Sequence, residues 1–146
     1  MSRLLCVLLL PTLITMPAVA RAATIDVELT GVVNDRGLIR VAVCTAATFT
    51  TKHCPFSGAV PAQPGHVVIR LEGIPEGRYA LQAYHDEDGN GRVRRGPLGI
   101  PDEAIGFSRD APLRLGPPAF EDAVVSITEP LTTLQIRLRH VGFNHT

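Results

Sequence analysis

The sequence predicts an all-β protein, a two-sheet antiparallel sandwich of about seven strands carrying one long loop. Three observations predict it. Apolar and polar residues alternate in several short segments, which is the period of a strand with one wet face. Clusters of Gly, Pro, Asn and Asp punctuate those segments. No window of ten residues carries a helical stripe, which argues against a parallel sheet covered by helices.

Residues 1–22 read as a signal peptide. Arg3 supplies the positive start, Leu4 to Leu10 with Leu13 and Ile14 the apolar centre, and Ala20-Arg21-Ala22 the small-residue cleavage site. The apolar run is short and broken by Pro11 and Pro17, so a membrane anchor is the weaker reading. Residues 23–140 are then one β-sandwich domain, and 141–146 a flexible tail. Within the domain, Ile25, Val27 and Leu29 alternate with Asp26 and Glu28, and Ile39, Val41 and Val43 resume the alternation. The turn residues Asn34-Asp35-Arg36-Gly37 lie between, so the two runs are expected to form a hairpin.

From Thr45 to Gln63 the chain has no clear period and holds Pro55 and Pro61, which predicts a loop with room for a short edge strand. Val67, Ile69 and Leu71 form the next strand, Gly73 to Gly77 a turn, and Tyr79, Leu81 and Ala83 one face of the strand after it. Asp86 to Ala119 then lacks any periodic segment. Structureless loops longer than about 15 residues are uncommon in compact domains and are usually functional. The last strands are Ala123 to Ile127 and the run containing Leu134, Ile136 and Leu138.

Length and charge narrow the function classes. After cleavage about 124 residues remain, enough for one domain with a core and too few for two. The chain has 14 Lys and Arg against 14 Asp and Glu; losing Arg3 and Arg21 leaves 12 basic against 14 acidic groups. That balance argues against nucleic acid as a partner, because phosphate binding needs a basic field. The mature chain has no second apolar run long enough to span a bilayer, and the expected location is periplasmic or secreted. Cys6 leaves with the leader, and the remaining pair, Cys44 and Cys54, is expected to form a disulfide in an oxidising compartment.

The chemistry-bearing residues concentrate at the end of the fourth predicted strand. Asp86, Asp88 and Asn90 fall at alternate positions and Gly91 follows, as in the first half of a calcium loop. On this reading Asp86, Asp88, Asn90 and the backbone carbonyl of Arg92 hold Ca²⁺, with Asp102, Glu103, Glu121 or Asp122 supplying further oxygens. The second half of that loop fails, since Arg94 and Pro97 stand where a ligand and a bidentate Glu belong. The other reading is an Asx-rich turn whose carboxylates cap backbone amides. His85 beside Asp86 offers a general base, which would make the chain a hydrolase-like or metal-assisted enzyme. Ser57, Ser108 and Ser126 lie in no nucleophile elbow, so the catalytic set is incomplete and a non-enzymatic module is expected.

Several ordered motifs resemble the bacterial domain of unknown function 2141 family. They are Asn34-Asp35-Arg36-Gly37, Leu71 to Tyr79, His85-Asp86-Glu87-Asp88-Gly89-Asn90-Gly91, Leu98-Gly99-Ile100-Pro101, Gly106-Phe107-Ser108 and Gly116 to Ala123. The resemblance implies a short exported protein without an assigned activity. The turn Gly73 to Tyr79 is also similar to the G-x-P-x-G-x-Y turn of transthyretin-like sandwiches, which implies an immunoglobulin-like or transthyretin-like arrangement. Together these point to an envelope binding or structural module that uses its long loop, with an envelope protein or a small ligand as its partner.

Overall fold

The computed structural model describes residues 22–114 and 116–141. The leader, apart from Ala22, and residues 142–146 of the tail lie outside the described residues. Among the described residues there are eight strands: β1 (Ala22–Val32), β2 (Leu38–Cys44), β3 (Phe56–Pro61), β4 (Gly65–Pro75), β5 (Gly77–Asp86), β6 (Ile105–Phe107), β7 (Val124–Ile127) and β8 (Leu131–Arg137). One short helix, α1 (Phe120–Ala123), precedes β7. No helix of the described residues is long and apolar enough to cross a membrane.

The strands form two sheets, ordered β4-β1-β8 and β3-β2-β5-β6, with β7 pairing the first half of β5. Alternation explains why they stack. Ile25, Val27 and Leu29 of β1 are fully buried, as are Ile39 and Val43 of β2 and Leu81 of β5, while the residues between them face outward. These side chains meet with Ile69 and Ile136 in one core between the sheets. Each such side chain contributes about 1.5–3 kcal/mol by leaving water.

Three expectations are corrected. The runs 25–29 and 39–43 do not form a hairpin: β1 pairs β4 and β8, whereas β2 pairs β3 and β5. The Asn34–Gly37 turn therefore passes from one sheet to the other. The pairing of β1 with β8 is parallel, so the sandwich is antiparallel-rich rather than wholly antiparallel. Strand β6, one more than the seven expected, lies inside the segment read as structureless; all three of its residues are buried, so it shows no alternation. The edge strand between Thr45 and Gln63 is β3. Val141, assigned to the tail, is half-buried against a second apolar cluster.

That second cluster covers the outer face of the larger sheet and shapes the site. Phe49, from the loop after β2, packs edge-on against Phe107 of β6 and Phe120 of α1, with ring centroids 5.8 Å and 6.0 Å apart. Cys44 is bonded to Cys54, ten residues on, which pins this loop to the end of β2. The cluster fills one end of the outer face. The other end stays open.

Candidate ligand groove and acidic loop

Strand β5 positions most of the candidate residues. Successive side chains of a strand point to opposite faces. Gln82 and Tyr84 therefore face outward, while His85 turns inward with its cross-strand partner Ile39. His85 is fully buried; its Nε2 lies 2.7 Å from the Arg36 carbonyl oxygen and its Nδ1 has no partner. Asp86 leaves from the other face and bonds Arg40, and neither ring nitrogen of His85 bonds Asp86, the pair that the alternative, enzymatic reading would use. Ser108 is also committed elsewhere. Its buried Oγ accepts from the Leu81 amide at 2.9 Å and donates to the Ala123 carbonyl at 2.5 Å, tying β5 to α1.

Asp86 is the anchor of the loop that follows. Its Oδ2 accepts from Arg40 Nε at 2.5 Å and from the Gly91 amide at 3.0 Å. Burial alone would raise its pKa, but the bond from Arg40 and the Gly91 amide outweigh it and hold the carboxyl below its ordinary 3.8. Asp88 Oδ1 accepts the Asn90 amide at 3.1 Å, and Asn90 Oδ1 accepts the Arg92 amide at 2.8 Å. These are consecutive Asx turns. Glu103, fully buried, closes the loop from the far side: its Oε1 accepts the Glu87 amide at 3.1 Å and its Oε2 the Arg94 amide at 2.8 Å.

The predicted ligand set is partly assembled. Asp86, Asp88 and Glu103 each place one carboxylate oxygen within 4.8 Å of the others. Asn90 spends its side-chain oxygen on the Arg92 amide, and the Arg94 guanidinium stands 3.7 Å from Asp88. Glu103 was legible only as one of several accessory oxygens. Its role as a backbone clamp has no sequence signal, because its two partners lie 16 and nine residues away.

Glycines fix the surroundings of this loop. Gly37 has φ +68°, and a Cβ there would collide with the Asp86 carbonyl, so the Asn34–Gly37 turn can close only over glycine. Gly106 in β6 sits against the Arg137 carbonyl and the Ile136 side chain, where no Cβ fits. The Gly106-Phe107-Ser108 motif thus combines a close approach, an aromatic anchor and a buried hydroxyl bridge.

Sequence reading gave no hint of the groove. The open end of the outer face is a groove of about 670 Å³, within the range of small-molecule sites. Ala42, Ser57, Ala59 and Gln82 line it from β2, β3 and β5, with Tyr84 and Phe107 beside them. Thr51 and Lys52 line it from the loop after β2, and Arg92, Val93 and Arg95 from the long loop.

The fold and site define a β-sandwich with one sheet face roofed by two loops around an open groove. A family profile described as an uncharacterized protein conserved in bacteria (DUF2141) matches residues 27–135, and the chain belongs to that family. Comparison with curated proteins returned no match, nor did comparison with solved structures.

Proposed function

We propose that the chain is an exported, non-enzymatic binding module of the cell envelope, periplasmic or secreted, which takes a ligand in the groove beside its long loop. One observation carries the reading: the loop returns over the larger sheet and leaves a concave site of about 670 Å³ lined by apolar side chains such as Ala42, Ala59, Ile105 and Phe107 together with polar ones. The leader-like start of the sequence supports export. Since a ligand that binds only the folded state raises the melting temperature, a small-molecule extract of bacterial envelope should raise that of the mature domain. Ala59→Trp fills the groove from an exposed edge-strand position and should abolish the rise. No rise, or the same rise in the variant, would overturn the reading.

Calcium at Asp86 and Asp88 is a second reading, favoured by one observation. Asp86 Oδ1 is buried without a partner in a group of three clustered carboxylates, so a cation would satisfy it. Glu103 then joins Asp86, Asp88, Asn90 and the Arg92 carbonyl as an oxygen donor. Millimolar calcium should raise the melting temperature and EDTA lower it, with Asp88→Ala removing the difference. Superimposable curves would leave the loop as an Asx turn alone.

A further inference from the structure

Among the residues that line the groove, Arg40, Lys52, Arg92 and Arg95 are cationic and none is acidic. Arg40 is neutralised by Asp86, and Arg95 spends one guanidinium N–H on the Gly99 carbonyl at 2.8 Å. The side chains of Lys52 and Arg92 have no hydrogen-bond or ion-pair partner among the described residues. They line the groove from different segments, Lys52 from the loop after β2 and Arg92 from the long loop after β5, beside Ala42 and Ala59. Tyr84 also lines the groove and offers a hydroxyl that can donate or accept.

From this we infer that the groove binds a small organic anion: a compact negative head bound by Lys52 and Arg92, with an apolar body lying against Ala42, Ala59, Val93 and Phe107. The inference rests on the groove reading above and adds the ligand class to it. The reasoning is complementarity. Two cations with no acid facing them are satisfied only by water or by a bound anion, and Arg and Lys N–H groups make their strongest bonds to carboxylate or phosphate oxygens. Ala42, Ala59, Val93, Ile105 and Phe107 give the groove apolar surface against which a methylene chain or a ring loses water, and Gln82 beside them already spends its amide N–H on the Thr51 carbonyl. Carboxylate and phosphate heads share this chemistry.

The test compares three probes by isothermal titration against the mature, disulfide-bonded domain: decanoate, its uncharged analogue decanamide, and inorganic phosphate. Decanoate should bind on the order of tenfold or more tighter than decanamide, the worth of a hydrogen bond to a charged group. Lys52→Gln combined with Arg92→Gln should erase that preference. Both positions are exposed and their side chains unpartnered, so the variant should melt with the parent, and circular dichroism checks this. Equal affinity for decanoate and decanamide would overturn the anion assignment and leave the groove reading standing. Phosphate binding as tightly as decanoate would overturn the apolar body. Failure of all three to bind would overturn the inference, and the groove reading would then stand or fall on the envelope-extract experiment. A poly-glutamate peptide that binds tighter than decanoate would overturn the small-molecule assignment in favour of an acidic chain.

Discussion

Replacing Glu103 by alanine tests how the acidic loop is held. Its carboxylate accepts the Glu87 and Arg94 amides, and a hydrogen bond to a charged group is worth about 1.5–3 kcal/mol, so two bonds set a ceiling of about 3–6 kcal/mol. Glu87 is half-buried and Arg94 exposed, so water can reach one freed amide more easily than the other. The expected loss is therefore about 2–4 kcal/mol, read as a lower urea midpoint at unchanged slope. Glu103→Gln keeps one acceptor but turns an NH₂ towards a backbone N–H, so it should recover less than half of the loss. Hydrogen exchange separates local from global effects: the Glu87 and Arg94 amides should exchange faster in both variants, ahead of the β1 and β2 amides. A loss under about 1 kcal/mol, with both amides still protected, would refute the clamp.

Other consequences follow from particular contacts. Asp86 titrates below its ordinary 3.8, so the stability it contributes is present above that pH and is lost as pH falls through its lower folded-state pKa. Asp86→Asn should flatten the acid limb of the stability curve, and an unchanged limb would show that another carboxylate governs it. Reducing the Cys44–Cys54 bond frees an 11-residue loop and should cost about 2–3 kcal/mol in denaturant titration. It should also weaken groove ligands, because Thr51 and Lys52 sit within that loop. Gly37→Ala combines a left-handed backbone with a collision against the Asp86 carbonyl and should destabilise by more than about 2 kcal/mol in urea titration; Gly89→Ala, with open space around it, should cost less.

The strands that the sequence announced are those with one buried and one wet face. Ile25, Val27 and Leu29, or Tyr79, Leu81 and Ala83, alternate because the core lies on one side of them only. Strand β6 escaped because Ile105 and Phe107 are buried under the loop roof while Gly106 packs against β8, so both faces are dry. The hairpin expected across Asn34–Gly37 failed because turn chemistry specifies a reversal but not which sheet receives the returning strand. At the site, local spacing found the Asx turns of Asp88 and Asn90, whose partners are two residues away. It could not find the Glu103 clamp or the groove. Both depend on segments brought together by the fold, with Lys52 and Arg92 lining one groove over a sheet to which neither belongs.

The most direct test of the groove is a backbone amide shift map of the ¹⁵N-labelled mature domain titrated with decanoate. The perturbed amides should gather at Thr51 to Cys54, Gln82 to Tyr84 and Gly91 to Arg95, and Ala59→Trp should remove the shifts. Perturbations gathered instead on the outward face of the β4-β1-β8 sheet, or surviving in Ala59→Trp, would contradict the groove reading.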